Sequence, residues 1–336
     1  MWTLRNRTPY AVGKTWGRDR NGIHQWIVAV KASFDWDADG RLRRSDRQVP
    51  PLIAPEYHGD PGASSLRYAA DLTEPKPLTD VLIQGIAHAP GHRPSTEFHV
   101  AFRLGAVRKA LTVRGDRTWV DGRWGARASA AVPVMQVPIV YERCFGGQDL
   151  TSDDPSRHVY DPRNPVGCGL AAPGGDRSGH RLPNFEYPDG DVEKTGPACF
   201  GPIDGHWSPR REAMGTYDDA WRAHRAPLLA EEWHPRSLQC APLDQQAREP
   251  LRGGEPVDLL NLTPSGRVQF DLPRADFVFS TCIAGRGVEQ HAAHLSTVLL
   301  EPEQARLTML WTTALTYHGV PEDLDRTTVH EAFAAP

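Results

Sequence analysis

The chain has almost no lysine. Of its 38 basic residues, 33 are Arg and only five are Lys. No Lys/Arg run or basic helix occurs, which argues against nucleic acid as a partner. Arg suits planar, bidentate contacts at interfaces, though a GC-biased genome would produce the same excess. The five cysteines, Cys144, Cys168, Cys199, Cys240 and Cys282, are odd in number and widely spaced, with no CxxC. That argues against a disulfide framework and a four-thiolate zinc site. No run of 18 apolar residues exists, and the start, MWTLRNRTPY, has no apolar h-region. No membrane association is expected, and a cytoplasmic location is. HExxH, Gly-x-Ser-x-Gly and a phosphate-cradling P-loop are also missing.

What remains is a globular composition. The 336 residues, 39% hydrophobic, can form one large or two medium domains. The net charge of −4 conceals an asymmetry. Residues 1–140 hold 20 Lys/Arg against 13 Asp/Glu; residues 141–336 hold 18 against 29. Opposite charges either form docking faces or meet one another and solvent.

The first 140 residues read as β-structure. From Ile23 to Trp36 the pattern alternates: Trp26, Val28, Val30, Ala32, Phe34 and Trp36 on one face, Gln25, Lys31, Ser33 and Asp35 on the other. This predicts a half-buried antiparallel strand. Phe98, Val100, Phe102 and Leu104 repeat the period. Thr79–Ala87 is apolar on both faces and suits a central strand. Gly115-Asp116 is a plausible hairpin turn between Leu111–Val113 and Thr118–Val120. Pro133 and Pro138 restrict Val132–Tyr141 to an edge strand or an extended crossing.

Residues 141–264 differ. They hold 15 Pro and 14 Gly in 124 positions, which forbids long regular elements. One short helix is expected near Tyr217–His224, capped by Thr216 or Asp218. Yet the segment is full of Trp, Phe, Tyr and Arg, which a disordered region would lack. Beyond Pro264, alternation returns at Val268–Leu272, Phe277–Phe279, Val298–Leu300 and Leu307–Leu315. The tail from Pro321 is expected to hold one weak helix and then fray. The fold class is therefore mainly β. Antiparallel, sandwich-like sheets occupy both ends, with a long irregular Gly/Pro/Arg/Trp-rich middle and one or two short helices. The expected divisions are a β-rich lobe over 1–140, a motif-rich region over 141–264, and strands over 265–336 that complete or extend the core.

Tests for chemistry return bland alternatives. Asp35-x-Asp37-x-Asp39-Gly40, with Leu42 and Asp46, has the spacing of a twelve-residue calcium loop. However, Asp46 is short for bidentate reach, Arg43 and Arg44 add positive charge, and a strand leads in; a solvated turn fits better. Cys144, followed by Phe145-Gly146-Gly147, could be a nucleophile beside an oxyanion hole. His158, His180 or His206 could serve as base, but spacing selects none, and a buried apolar cysteine fits as well. His291-x-x-His294 and His88-x-x-x-His92 lack helical context, so no metal is assigned. The remaining candidates for partner binding, or for stitching the irregular region together, are Arg143, Arg163, Asn164, Trp207, Arg210, Arg211, Asp218 and Trp221.

The ordered motifs YHGDPGASSLRYAADLTEPKPLTDVLIQGIAHAP (57–90), VRGDRTW (113–119), YERCFGG (141–147), RNPVGCG (163–169), LPNFE (182–186), FGPIDGHWSPRREAMGTYDDAW (200–221), RAPLLAEEW (225–233), APLDQQ (241–246) and LRGGEPVDLLNLTP (251–264) are collinear. Together they resemble a bacterial family catalogued as a domain of unknown function and encoded beside VgrG, PAAR and toxin genes of type VI secretion systems. The resemblance implies a non-enzymatic adaptor or chaperone, without cofactor, that binds a type VI effector protein and helps load it onto the PAAR-tipped VgrG spike. Cys144 stands where the family pattern has a small residue. The pentapeptide-repeat extension of some relatives is missing before Pro336. Two other classes remain open: a hydrolase or transferase with its site in 141–264, and a carbohydrate- or envelope-binding β-module stacking sugars on Trp207 and Trp221.

Overall fold

The longest strand, His24–Trp36, lies in a seven-stranded sheet. The sheet is ordered Gln246–Ala247, Thr79–Ile83, His294–Glu301, Arg306–Tyr317, His24–Trp36 and Ala11–Arg18, with Leu42–Arg44 also paired to His24–Trp36. The computed structural model describes residues 2–123 and 125–332. Thr79–Ile83 is buried along its whole length, as its apolar run requires, and runs parallel to His294–Glu301.

His24–Trp36 departs from the half-buried strand predicted for it. Gln25, Lys31 and Ser33 are as buried as the apolar face. A strap from Ser45 to Lys76 covers that side. Within it Lys31 pairs with Asp71 at 2.7 Å, and the Gln48 amide bonds both the N–H and the C=O of Ser33. Polar residues thus fill the second face because each finds a partner there, which period-2 counting cannot foresee.

A five-stranded sheet runs Phe185–Glu186, Val107–Arg114, Glu97–Leu104, Pro256–Leu260 and Arg267–Asp271. Its first hairpin turns at Gly105, whose φ of 57° suits a residue without Cβ. The predicted hairpin at Gly115-Asp116 does not form. Asp116 instead bridges Val132, and a Cβ on Gly115 would sit 1.9 Å from the Val132 carbonyl oxygen. Gly115 is a close crossing, not a turn. Gln136–Pro138 is a short strand against Ile86–His88, within the extended crossing expected there.

A four-stranded sheet joins the two ends of the chain: Thr3–Asn6, Leu324–Glu331, Phe277–Ile283 and Gly287–Ala292. The weak helix expected from Pro321 is only the 3-10 turn Pro321–Asp323, after which Leu324–Glu331 runs as a strand. Its Thr327, Thr328 and Val329 are β-branched, and it is held between Thr3–Asn6 (parallel) and Phe277–Ile283 (antiparallel). The fraying expected at the extreme end concerns residues 333–336, outside the described residues.

One buried apolar cluster spans all three sheets. Trp36 stacks on Phe270 at 5.1 Å, joining the large and five-stranded sheets. Phe277 meets Trp311 edge-on at 5.0 Å, joining the large and four-stranded sheets. Each such pair adds roughly 0.5–1.5 kcal/mol beyond area burial. Between these sheets the middle of the chain has no regular element longer than the six-residue helix Asp219–His224. Asp218, not Thr216, caps that helix, accepting from the Trp221 N–H; a second helix, Val192–Thr195, is capped by Asp191.

Candidate functional site

The large sheet ends on one side at Gln246–Ala247, a strand of only two residues. Pro242 and Pro250 bracket it, and proline cannot supply a ladder N–H. Just before it, Gln245 is fully buried. Its amide donates to the carbonyls of Val81 (2.7 Å) and Phe200 (3.0 Å). Anchoring Gln245 inward turns Leu243 outward, where it is 72% exposed.

Beneath this turn lies Lys109. Its ammonium donates to the Cys199 carbonyl (2.8 Å), to Asp244 (3.0 Å) and to Gln245 Oε1 (3.0 Å). Burial pushes it below the ordinary lysine range, and Asp244 only partly offsets this. A second buried lysine, Lys76, bonds Asp80 at 2.7 Å and Thr297 at 2.9 Å. Burial opposes its charge, but Asp80 outweighs burial and the net shift is upward. Asp80 also accepts from the Gln239 amide (2.6 Å) and the Cys240 N–H (2.8 Å), fixing the segment that leads into the edge strand.

Arg210 builds the opposite wall. Its guanidinium spans the carbonyls of Ile203 (2.6 Å) and Ser237 (2.9 and 3.0 Å), clamping residues 203–213 to the 3-10 turn Pro235–Leu238. Between the walls runs an open trough of about 580 Å³, lined by Leu78, Ile203, Pro209, Ala213, Ala241 and Leu243 and rimmed by Glu212, His234, Arg236 and Arg248. A second hollow of about 430 Å³ adjoins it. This hollow shares Leu243, Gln246 and Arg248 and reaches Arg108, Leu251 and Glu255.

Charge along the rim is unevenly spent. Asp244 is taken by Lys109 and by the Tyr187 hydroxyl. Glu255 accepts from the N–H groups of Arg252 and Gly253, and Glu212 from the Ser208 hydroxyl. Glu249 is exposed. Arg108, Arg236 and Arg248 are also exposed, and none has an ion-pair partner among the described residues.

A family model described as "Uncharacterized protein conserved in bacteria (DUF2169)" matches residues 21–312. The chain belongs to that family. The matched range takes in the residues lining both hollows and leaves out the Thr3–Asn6/Leu324–Glu331 strand pair. No curated protein and no solved structure matches the chain.

The structure separates the sequence candidates into three places. Trp207 and Arg210 support the trough, and Arg211 is exposed on the same turn without an ion-pair partner among the described residues. Trp207 is only 7% exposed and packs edge-on against Tyr141 at 5.3 Å, so it offers no face for stacking a sugar. Arg143, Arg163 and Asn164 belong to a second cluster. Arg143 bonds Asp116 (2.9 Å) and Asn184 (3.2 Å). Arg163 grips Asp161 through two nitrogens (2.6 and 2.9 Å). Asn164 is wholly buried and donates to the carbonyls of Tyr141 and Phe145 (2.8 and 2.9 Å). Gly146, at φ 139°, lies so close that a Cβ would meet the Asn164 carbonyl oxygen at 2.3 Å. Asp218 and Trp221 form the third place, beside a hollow of about 290 Å³; Trp221 Nε1 donates to the Leu228 carbonyl.

The chemical candidates fare differently. Cys144 is completely buried, donates to the Ala198 carbonyl at 3.0 Å, and is pushed up by burial, so it is placed as a core thiol and not as a nucleophile. His158 is held by the Ser152 carbonyl, whereas His206 is exposed beside a hollow of about 200 Å³. His88 is bound to Glu303 and Gln136, and His291 to Thr281 and Thr313. Asp37 caps the N–H groups of Asp39 and Arg41, making the turn expected there. Among the described residues no three His, Cys, Asp or Glu side chains gather as a metal site. Among them, too, no helix is long and apolar enough to cross a membrane.

Sequence reasoning missed Lys76, Lys109, Arg236, Leu243 and Arg248. Lysine scarcity was the available signal for the first two: three of the five lysines, Lys31, Lys76 and Lys109, are buried and paired. In a chain that uses Arg on its surface, these three lysines mark places where a compact buried charge is paired.

Proposed function

We propose that the protein is a non-enzymatic adaptor or chaperone that holds a partner protein in the trough at the free edge of the large sheet. The observation that carries this reading is convergence. The motif segments 200–221, 241–246 and 251–264 meet around the two hollows, joined there by Leu78 and by Ala106, Val107 and Arg108 from far earlier in the chain. Their buried polar side chains, Arg210 and Gln245 above all, are spent on carbonyls that hold the walls in place. Such a surface is preorganised, which lowers the cost of binding.

The partner comes from the motif resemblance. On that reading it is a type VI secretion effector, and the complex mounts on the PAAR-tipped VgrG spike from the cytoplasm of a Gram-negative bacterium. Co-expression with the products of the neighbouring toxin and PAAR genes tests it. Retention of either one through affinity and size-exclusion chromatography is expected; retention of neither refutes the adaptor reading.

A further inference from the structure

We infer that the trough takes an extended, acidic segment of its protein partner, laid along the Gln246–Ala247 edge with its carboxylates on Arg108, Arg236 and Arg248. This rests on the reading of the trough as a partner-binding face and names the chemistry of what fits there.

Charge comes first. The charged lining of the first hollow is Arg210, Arg236 and Arg248 against Glu212 alone, while Asp244, Glu249 and Glu255 lie in the second; among the described residues the guanidiniums of Arg108, Arg236 and Arg248 have no ion-pair partner. Arg210, which lines the same trough, shows how this fold treats an arginine it needs internally: it bonds two carbonyls. The three rim arginines are not used that way. A guanidinium presents a planar fork suited to carboxylates, and three along one trough complement a row of Asp or Glu.

Shape comes second. The two hollows adjoin through Leu243, Gln246 and Arg248, so the concave surface continues along the sheet edge and is open to solvent. In an antiparallel ladder, successive residues turn their amide and carbonyl alternately toward and away from the partner strand. Of Gln246 and Ala247, one therefore turns its amide and carbonyl away from Thr79–Ile83, which allows one pair of backbone hydrogen bonds to an extended segment and no longer ladder. An extended segment alternates its side chains. One set would meet the apolar floor of Leu78, Ile203, Ala241 and Leu243, and the other the guanidiniums on the rim.

The probe is a short fluorescent peptide alternating Glu with Val, compared with one alternating Lys with Val, each titrated into the full-length protein. Saturable binding of the Glu–Val peptide, weakened by added salt, with none of the Lys–Val peptide, is expected. The double variant Arg236→Glu/Arg248→Glu should weaken it by at least about tenfold. Both positions are exposed, so an unchanged urea midpoint confirms that the variant is folded. Equal binding of the two peptides, no saturation, or unchanged affinity in the double variant overturns the inference. So does displacement by citrate at the concentration of competing peptide, which assigns the site to a small anion. Failure of the adaptor reading looks different. If wild type and double variant both retain the neighbouring effector, only the acidic-segment inference falls; if wild type retains neither neighbour, the adaptor reading falls whatever the peptides do.

Discussion

Lys109 and Asp244 form a 3.0 Å ion pair between a strand of the five-stranded sheet and the lip of the trough. The lysine end is buried, while the carboxylate side chain remains 39% exposed. The two ends should therefore respond unequally to substitution. Lys109→Met strips the donor from the Cys199 carbonyl and from Gln245 Oε1, and should destabilise the protein by about 2–4 kcal/mol. Asp244→Asn leaves two of the three acceptors, and solvent can reach the site; about 1–2 kcal/mol is expected. Urea unfolding of both variants measures the difference.

Asn164 tests the second cluster. Its amide donates to two carbonyls in a space closed by Gly146 and Gly167. Asn164→Ala leaves both carbonyls unpaired and should cost about 2–4 kcal/mol. Asn164→Asp should cost more, because it replaces a donor with an acceptor facing two oxygens. Equal stability of wild type and Asn164→Asp would show that the cluster is not held by this side chain.

Arg210 and Arg211 are neighbours in sequence with opposite fates. Arg210→Lys keeps the charge but loses the fork between Ile203 and Ser237, so the trough wall should loosen at a cost of about 1–2 kcal/mol. Arg211→Ala removes an exposed side chain and should stay within about 0.5 kcal/mol of wild type. Thermal unfolding of the pair separates the supporting residue from the solvated one.

His291 sets an acid response. Burial lowers its ring to about 4, and the hydroxyls of Thr281 and Thr313 flank it at 2.9 Å. The folded-state value lies below the unfolded one, near 6.5, so between those values the unfolded chain binds the extra proton. Stability from this group is full above pH ~6.5 and declines as pH falls toward 4. His291→Gln should flatten that part of the stability–pH curve while leaving other acid transitions in place.

Much of the fold was legible because local pattern and tertiary position agreed. The first part of the apolar run Thr79–Ala87 became the interior strand Thr79–Ile83, while Ile86–His88 left for a separate pairing with Gln136–Pro138, and Asp218 capped the helix placed near Tyr217. Leu324–Glu331 was not legible, since its partners are the first residues of the chain and Phe277–Ile283. Nor was the role of Lys109, whose acceptors lie 90, 135 and 136 residues further along. At the trough, the sequence candidates include Arg210 and Arg211 but not Arg108, Arg236 or Arg248. Arg143, Arg163 and Arg210 sit beside glycines and prolines, and those bends bring carbonyls and carboxylates within their reach. Arg236 follows Pro235 and Arg248 precedes Pro250 by two residues, so the same local mark surrounds them, and only the folded edge shows that they have no ion-pair partner among the described residues.

The trough as the partner-binding face is the centre of this account, and blocking it is the most direct test. Ala213 lines the trough and Leu243 stands exposed on its lip, so Ala213→Trp should fill the space and Leu243→Asp should oppose an apolar or acidic segment. The measurement is the amount of neighbouring effector that co-purifies with each folded variant relative to wild type. A loss of at least about tenfold in both, roughly the effect of one hot-spot residue, is the predicted result. Undiminished retention by both variants would place the partner elsewhere on the protein and contradict the account.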